Sequence, residues 1–287
     1  MSKTRIAVIG DFDGVHRGHQ ALLKALLEWA RELDAEPTVI SFDRNTKGRK
    51  VITAPALKEW YLRAYGAERL ITLPFDEWKD VSAEQFAEEY LKKQLNIVGV
   101  VAGCDLRFGK DRGGNAFTLI AKGIAVRRID AVFAEELQVR STQIRALIEA
   151  GELAKAERFS GHPFALMGTV RHGKGLARQY GLPTVNLTPD AEQLLPPFGV
   201  YAARVWLEEE CYPAVANVGV RPTVEQNGAP NLEAHILAEV PPLYEKTLRV
   251  ELVSYLRGEQ KFENEAQLFA QIKQDGEQSI ARLEMLK

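Results

Sequence analysis

The sequence predicts two domains of different fold class: an α/β domain with a parallel sheet over residues 1–160, and a mainly antiparallel β-barrel domain with a terminal helix over residues 161–287. In the first half, short β-branched runs alternate with amphipathic segments, which is typical of a parallel sheet covered by helices on both faces. In the second half, β-type runs follow one another without a long helix between them, which favours an antiparallel barrel or sandwich. The sequence Gly161-His162-Pro163 separates the two patterns, and 287 residues are enough for two ordinary domains.

The first half is predicted to alternate strands with helices. Strands are predicted at residues 6–9, 38–42, 70–73, 97–102 and 125–129. Helices are predicted at residues 20–33, 56–65, 83–95, 116–121, 142–149 and 152–159. The helix at 20–33 has the clearest pattern, because four apolar residues are spaced for one face: Leu23, Leu26, Leu27 and Ala30. Ligands bind at the carboxyl ends of the strands in such sheets, so the loop after residue 9 is the first candidate site.

The second half is predicted to consist of strands followed by one helix. The strands are predicted at residues 164–171, 199–207, 212–218, 232–237 and 247–256. An amphipathic pattern then runs from about residue 263 to the end of the sequence, with Leu268, Ile272, Ile280 and Leu283 as its apolar positions.

Composition and charge exclude several classes of protein. Hydrophobic residues make up 46% of the chain and charged residues 26%, which is the balance of a globular protein. A net charge of −2 argues against nucleic acid as the main partner. The two cysteines, Cys104 and Cys211, form neither a disulfide framework nor a pair with metal-ligand spacing. No apolar stretch has the length of a signal-peptide core or a membrane span, so we expect a cytoplasmic protein without a membrane partner.

Residues 10–19, GDFDGVHRGH, follow the first predicted strand and lead into the first predicted helix. Gly10 lets the backbone turn tightly and Gly18 lets a phosphate approach closely, while the helix N-terminus supplies N–H groups and a favourable dipole. His16 and His19 are three residues apart, so they face one way on a helical turn and can donate hydrogen bonds to phosphate oxygens. The spacing does not fit a zinc site or a calcium loop. This strand–turn–helix context favours phosphate binding over a chance match.

A second cluster of polar residues stands at 141–145. Ser141 or Thr142 can cap the helix that follows, and Arg145 comes one turn later. Taken alone, this pattern is an ordinary cap with a solvated arginine. Beside a phosphate loop, the hydroxyls and the guanidinium are also candidates for binding a triphosphate.

Glycines and basic residues cluster again in the second half. Gly173, Lys174, Gly175 and Arg178 are suited to a flap over a polyphosphate, although most isolated Gly-X-Gly matches are flexible hairpins. Thr184 and Asn186 alternate, so in an extended segment their side chains point the same way. Their neutral oxygens suit a hard cation such as Mg²⁺ held between ATP phosphates.

In several segments, the chain resembles the bacterial bifunctional riboflavin kinase/FAD synthetases. Residues 10–19 resemble the family's nucleotidylyltransferase signature, which contains His-X-Gly-His. The other matching segments are 103–109 with Arg112 and Gly113, 140–145, 173–178 with 181–186, 199–202, 215–223, 232–237 and 256–262. The resemblance implies a nucleotidyltransferase-like, Rossmann-like first domain that adenylylates FMN, and a second domain that phosphorylates riboflavin.

The resemblance also implies residue roles. In the first domain these are ATP binding by Gly10, Asp11, Phe12, Gly18, Ser141, Thr142 and Arg145, catalysis by His16 and His19, and a flavin site at Asp105 and Phe108. In the second domain these are a general base at Glu233, ATP binding by Gly173, Lys174, Gly175, Arg178, Thr184 and Asn186, and Mg²⁺ at the last two. The implied partners are ATP, riboflavin, FMN and FAD, and no oligomeric state is predicted. Without the resemblance, Glu233 would be interpreted as an exposed glutamate on a strand that carries His235 on the same face.

Two departures from the family's pattern keep alternatives open. Residues 43–47 replace the Phe-X-Pro-His-Pro segment of many relatives, and Leu106 replaces a usual phenylalanine. The changed segment 43–47 motivates one alternative, a riboflavin kinase whose first domain binds nucleotide but adenylylates poorly or acts on another acceptor. Another is a flavin-sensing module without turnover, against which the retention of Thr184, Asn186 and Glu233 argues.

Overall fold

The computed structural model describes residues 3–43, 49–170, 183–220 and 230–285. The chain divides into two compact units. The first unit comprises Met1–Val51 and Pro55–Ser141, and the second unit comprises Ile52–Ala54 and Thr142–Lys287.

The first unit is built on a five-stranded parallel sheet, as predicted. Its strands are β1 (Arg5–Ile9), β2 (Glu36–Phe42), β3 (Arg69–Leu73), β4 (Ile97–Gly103) and β5 (Ala125–Ile129). Their order is β3-β2-β1-β4-β5, so the chain moves outward from β1 on one side and then returns to place β4 on the other. The boundary between β1 and β4 is the switch point where such sheets bind ligands.

Helices cover the sheet of the first unit. They are α1 (Arg17–Glu32), α2 (Pro55–Ala64), α3 (Phe75–Trp78), α4 (Ala83–Gln85), a π-helix (Phe86–Gln94), a 3₁₀ turn (Lys110–Arg112) and α5 (Ala116–Ala121). Trp29 of α1 packs on Gly99 of β4, whereas Phe86 and Leu91 of the π-helix pack in a core with Ala7 of β1. Apolar contacts on both sides explain why the strands are apolar along their length.

Two helices of the first unit differ from their predicted form. Helix α1 begins at Arg17, three residues before the predicted start, because the backbone leaves the extended conformation directly after His16 (φ −69°, ψ 172°). The predicted helix at 83–95 is the short α4, capped by Ser82, followed by the π-helix. Apolar spacing indicates a helical face but does not distinguish these hydrogen-bonding patterns. A short hairpin, β6 (Phe133–Ala134) and β7 (Leu137–Gln138), follows the sheet.

The second unit contains a six-stranded antiparallel sheet, which confirms the predicted barrel-like fold. It begins with α6 (Ser141–Glu149, of which Ser141 is counted with the first unit) and α7 (Leu153–Ser160). The strands are β8 (Phe164–Thr169), β9 (Thr184–Leu187), β10 (Gly199–Leu207), β11 (Glu210–Val220), β12 (Pro230–Ile236) and β13 (Thr247–Arg257). Their order is β8-β13-β10-β11-β12-β9. The sheet curls until its outer strands approach, since a Cβ added at Gly168 of β8 would lie 3.7 Å from the Cβ of Leu187 in β9.

The terminal helix α8 (Glu265–Glu284) packs on this sheet. Asn264 caps its first turn, and the buried Ser279 hydroxyl donates a hydrogen bond to the carbonyl oxygen of Ala214 at 2.8 Å. Asp275 lies on the buried side of α8 and forms an ion pair with Arg257 at the end of β13. These polar contacts fix the helix on the strands in one position.

Among the described residues, no helix combines the length and the apolar character that crossing a membrane requires. Cys104 and Cys211 are both free thiols at exposed positions.

Candidate functional sites

The loop between β1 and α1 has a strained backbone that is held by buried side chains. Phe12 and Val15 both adopt the left-handed region, with φ of 51° and 34°, which is uncommon for residues other than glycine. Both side chains are buried, so packing stabilises the conformation. Such local strain, about 1–3 kcal/mol per residue, is typical of functional loops. The loop is thereby held in one shape at the carboxyl end of the central strand.

The two histidines of this loop lie together, as their spacing predicts. Their rings stack with centroids 3.7 Å apart and an angle of 16° between the planes. The ring of Phe12 lies 5.2 Å from that of His19, so the Phe12 side chain supports the histidines from the core. A Cβ at Gly18 would lie only 3.2 Å from the His16 ring, which explains the glycine at this position. The imidazoles form one cluster at the start of α1.

The loop after β4 is brought to the same end of the sheet because β4 pairs directly with β1. Asp105 is exposed in this loop, but the ring of Phe108 is buried and packs 5.9 Å from that of Phe86. Gly109 has a φ of +71°, and a Cβ there would lie 2.6 Å from the backbone of Ala83. Phe108 therefore anchors the loop, and Asp105 is the side chain of the predicted pair that is presented to solvent.

Ser141 at the start of α6 contacts the loop that carries the histidines. Its hydroxyl donates a hydrogen bond to the carbonyl oxygen of Asp13 at 3.0 Å, across 128 positions of sequence. Thr142 is exposed and Arg145 is half-buried on the first two turns of α6, and both are counted with the second unit. Ser141, which is counted with the first unit, thus contacts the loop directly.

The second candidate site is a row of polar side chains across three strands of the second unit. Glu233 of β12 pairs in register with Asn186 of β9 on one side and with Asn217 of β11 on the other. Residues paired in an antiparallel sheet share a face, as do residues two apart on one strand. Thr184 and His235, which also pair, therefore lie on the same face. The sheet brings together the three predicted residues Thr184, Asn186 and Glu233.

His235 and Asn231 hold the predicted metal ligands, and neither was assigned a role from the sequence. The Thr184 hydroxyl lies 2.9 Å from Nδ1 of His235. Burial lowers the pKa of His235, although the charges of Glu233 and Asp275 oppose this effect. A neutral imidazole with its proton on Nε2 accepts a hydrogen bond from the hydroxyl at Nδ1, which leaves the lone pairs of the Thr184 oxygen for a cation. The Asn231 amide donates to Oδ1 of Asn186 at 3.5 Å.

The row offers neutral oxygen atoms, which suit a hard divalent cation or a sugar-like hydroxyl. Within the part of the chain that the structure describes, the buried Oδ1 atoms of Asn217 and Asn231 accept no hydrogen bond. The Nδ2 group of Asn217 donates to Glu259 at 3.4 Å. Because an unsatisfied buried oxygen costs about 1–3 kcal/mol, these two carbonyl groups fit a role in binding a donor or a cation.

Some predicted positions lie outside the described residues. They are Gly173, Lys174, Gly175 and Arg178 of the flap, residues 44–47 of the loop after β2, and residues 221–223.

Two family models match the chain. The FAD synthetase model covers residues 1–143, and the riboflavin kinase model covers residues 160–283. A bifunctional riboflavin kinase/FMN adenylyltransferase from Pseudomonas fluorescens is 37% identical over 270 residues, which cover 90% of this chain and 86% of that protein. One from Escherichia coli (strain K12) is 35% identical over 284 residues, which cover 94% and 90% of the two chains.

A solved structure supports the fold. A crystal structure of a protein from Streptococcus pneumoniae, named macrolide-efflux protein, is similar with a TM-score of 0.82 and 30% identity. The similarity covers 96% of this chain and 94% of that chain.

Proposed function

Because this chain belongs to the family of bifunctional riboflavin kinases/FMN adenylyltransferases, we propose that it catalyses both reactions. The second unit phosphorylates riboflavin with ATP to give FMN and ADP. The first unit transfers AMP from a second ATP to FMN, which gives FAD and pyrophosphate. ATP, riboflavin, FMN and FAD are its small-molecule partners. The two families generally use ATP with a divalent metal, and we propose magnesium as that metal.

The row of Thr184, Asn186 and Glu233 on one face of the sheet is the observation that supports the kinase activity best. The primary hydroxyl of the ribityl chain loses a proton as its oxygen forms a bond to the γ-phosphorus, while the bond from that phosphorus to the β-γ bridging oxygen breaks. We assign the role of general base to the Glu233 carboxylate, which lies beside the amide oxygens of the row. Strands hold these side chains, so their positions are set before the substrates bind.

Thr184 and Asn186 would hold the divalent cation. When bound, such a cation neutralises charge on the phosphate oxygens and orients them. The imidazole of His235 holds the Thr184 hydroxyl in position through their hydrogen bond. The Asn231 amide holds the Asn186 side chain in the same way. The chain's own contribution is thus to orient two neutral oxygens beside the base.

In the first unit, an oxygen of the FMN phosphate forms a bond to the α-phosphorus of ATP while the bond to the pyrophosphate breaks. This reaction requires no nucleophile from the protein. We assign stabilisation of the phosphate charge to His16, His19 and the N–H groups at the start of α1. Asp105 and Ser141 border the site from the loop after β4 and from α6.

The products made from riboflavin, ATP and magnesium test this proposal against its alternatives. After incubation with the pure full chain, riboflavin, FMN and FAD are separated by chromatography. FAD accumulation is expected. FMN alone would support a kinase with an inactive or differently specific first unit, and tight flavin binding with neither product would support a sensing module. Replacing magnesium by other divalent cations in the same assay tests the identity of the metal. The cytoplasmic location of the protein is a separate prediction.

Two substitutions test the site assignments in opposite directions. Glu233→Gln should lower FMN formation by roughly 10²–10⁴-fold, because general-base catalysis contributes about that much, and leave FAD formation from supplied FMN unchanged. His19→Ala should lower FAD formation and leave FMN formation unchanged. Glu239→Gln, at an exposed glutamate six positions after Glu233, is the matched control. Kinase activity that survives Glu233→Gln, or equal loss of both activities in either variant, would show that the assignment is wrong.

A further inference from the structure

Lys58 of α2 places a partly buried cation against the loop between β1 and α1. Its ammonium group donates three hydrogen bonds, to the carbonyl oxygen of Phe42 at 2.9 Å, to Oγ of Ser41 at 3.0 Å and to the carbonyl oxygen of Asp11 at 3.3 Å. An ammonium group has three donors, so all three are used. Lys58 thereby connects the end of β2, at Ser41 and Phe42, with the loop that follows β1, at Asp11. Ser41 and Asp11 are 30 positions apart in the sequence.

Lysine side chains are mostly exposed, whereas that of Lys58 is partly buried with its ammonium group among protein oxygens. Burial lowers the pKa of Lys58, and the carboxylates of Asp11, Asp13 and Asp43 oppose that effect. A structure that only needed to fill this space would place an apolar side chain here. The partly buried charge therefore points to a role for the hydrogen bonds that it makes.

The bond to Asp11 is one of several that engage the carbonyl oxygens of the loop, and the Ser41 hydroxyl donates a second bond to the same oxygen at 3.5 Å. Val15 N–H donates to the carbonyl of Phe12 at 3.1 Å, and the Ser141 hydroxyl donates to that of Asp13 at 3.0 Å. The Gln20 amide donates to the carbonyl of Val15 at 2.9 Å. Among these donors, Lys58 is the charged one. A loop that binds phosphate must turn its carbonyl dipoles away from the anion and its N–H groups toward it.

We propose that Lys58 is a positioning residue for adenylyl transfer, which holds the carbonyl side of the β1–α1 loop so that the opposite side faces the phosphates of ATP. The inference rests on the proposed activity of the first unit. Lys58 acts through the loop, and its ammonium group is already saturated by protein oxygens. Its loss should therefore disturb the alignment of the reacting phosphates more than the binding of ATP.

The test is the kinetics of FAD formation from FMN and ATP by the full chain with Lys58→Met, which keeps most of the apolar stem and removes the donors. We expect kcat to fall by roughly 10–10²-fold, since small misplacements of reacting groups have effects of this size, with KM for ATP within about 3-fold of its original value. FMN formation by the same preparation should be unchanged. Lys58→Arg, which keeps a buried cationic donor, should restore part of the lost kcat.

Lys24→Met is the matched control, because Lys24 is an exposed lysine of the same unit, on α1. If Lys58→Met fails to fold, Lys58→Gln is assayed instead, because glutamine keeps a shorter donor without the charge. The same changes in kcat and in KM for ATP are then expected. The proposal is overturned by a kcat within about 3-fold of the original, by a loss confined to KM for ATP, or by equal loss of both activities. Failure of the proposed adenylyl transfer is distinguishable from failure of the Lys58 proposal, because the unsubstituted chain would then make no FAD. In that case the proposed role of Lys58 would also be wrong.

Discussion

The ion pair between Arg257 and Asp275 should determine much of the stability of the second unit. The guanidinium group donates to both carboxylate oxygens of Asp275, at distances from 2.7 to 3.2 Å, and the Gln271 amide donates a further bond at 2.9 Å. The Asp275 side chain is 2% exposed and that of Arg257 is 18% exposed. The substitution Asp275→Asn keeps the shape of the side chain but leaves the arginine without a counter-charge.

Removing one partner of a buried ion pair costs about 3–5 kcal/mol. The lower value applies here, because Arg257 is partly hydrated and asparagine keeps one acceptor oxygen. For a unit of about 150 residues, 3 kcal/mol corresponds to a fall in Tm of roughly 6–12 °C. The buried pair anchors α8 to β13, so the loss should affect the second unit.

The assay is the temperature at which half of the riboflavin kinase activity survives a short incubation, together with thermal unfolding followed by circular dichroism. The kinase readout reports on the second unit even where two units unfold separately. Glu277→Gln removes an exposed carboxylate from the same helix and serves as the control. If Asp275→Asn shifted the half-inactivation temperature no more than the control does, the energetic importance of the pair would be refuted.

Two further predictions concern the loop after β1 and the helix before the barrel. Gly18→Ala should reduce FAD formation about 10-fold and leave kinase activity unchanged. The reason is that the new Cβ would lie 3.2 Å from the ring of His16 and displace that ring. Unaltered FAD formation would contradict this prediction. Burial raises the pKa of the Glu157 carboxyl from 4.5, with Glu251 adding to the rise and Arg204 opposing it. A carboxyl with a raised pKa stabilises the folded state at low pH and loses that contribution as pH rises above 4.5, so Glu157→Gln should raise Tm at pH 7. The gain should shrink toward pH 4.5, and a Tm at pH 7 equal to that of the original chain would count against the assignment.

Local features of both sites were predictable from the sequence. The order of strand, glycine turn and helix at residues 5–32, and the ability of His16 and His19 to meet, depend on neighbours within a few residues. The alternation of Thr184 with Asn186 and of Glu233 with His235 likewise follows from the two-residue period of a strand. Patterns of this kind determined both fold classes, because hydrophobic periodicity records which face of each element is buried.

Tertiary structure decided which of these local features meet, because strand order and long-range contacts have no local signal in a single sequence. The pairing of β1 with β4 brings the loop of Asp105 to that of the histidines. Lys58 reaches Asp11 across 47 positions, and His235 reaches Thr184 across 51. The family resemblance places Phe108 at the flavin site, and the fold places its ring in the core. The sequence by itself thus determined the two fold classes and the candidate side chains, and only the fold decided their supporting contacts, since a donor's partner depends on the three-dimensional path of the chain.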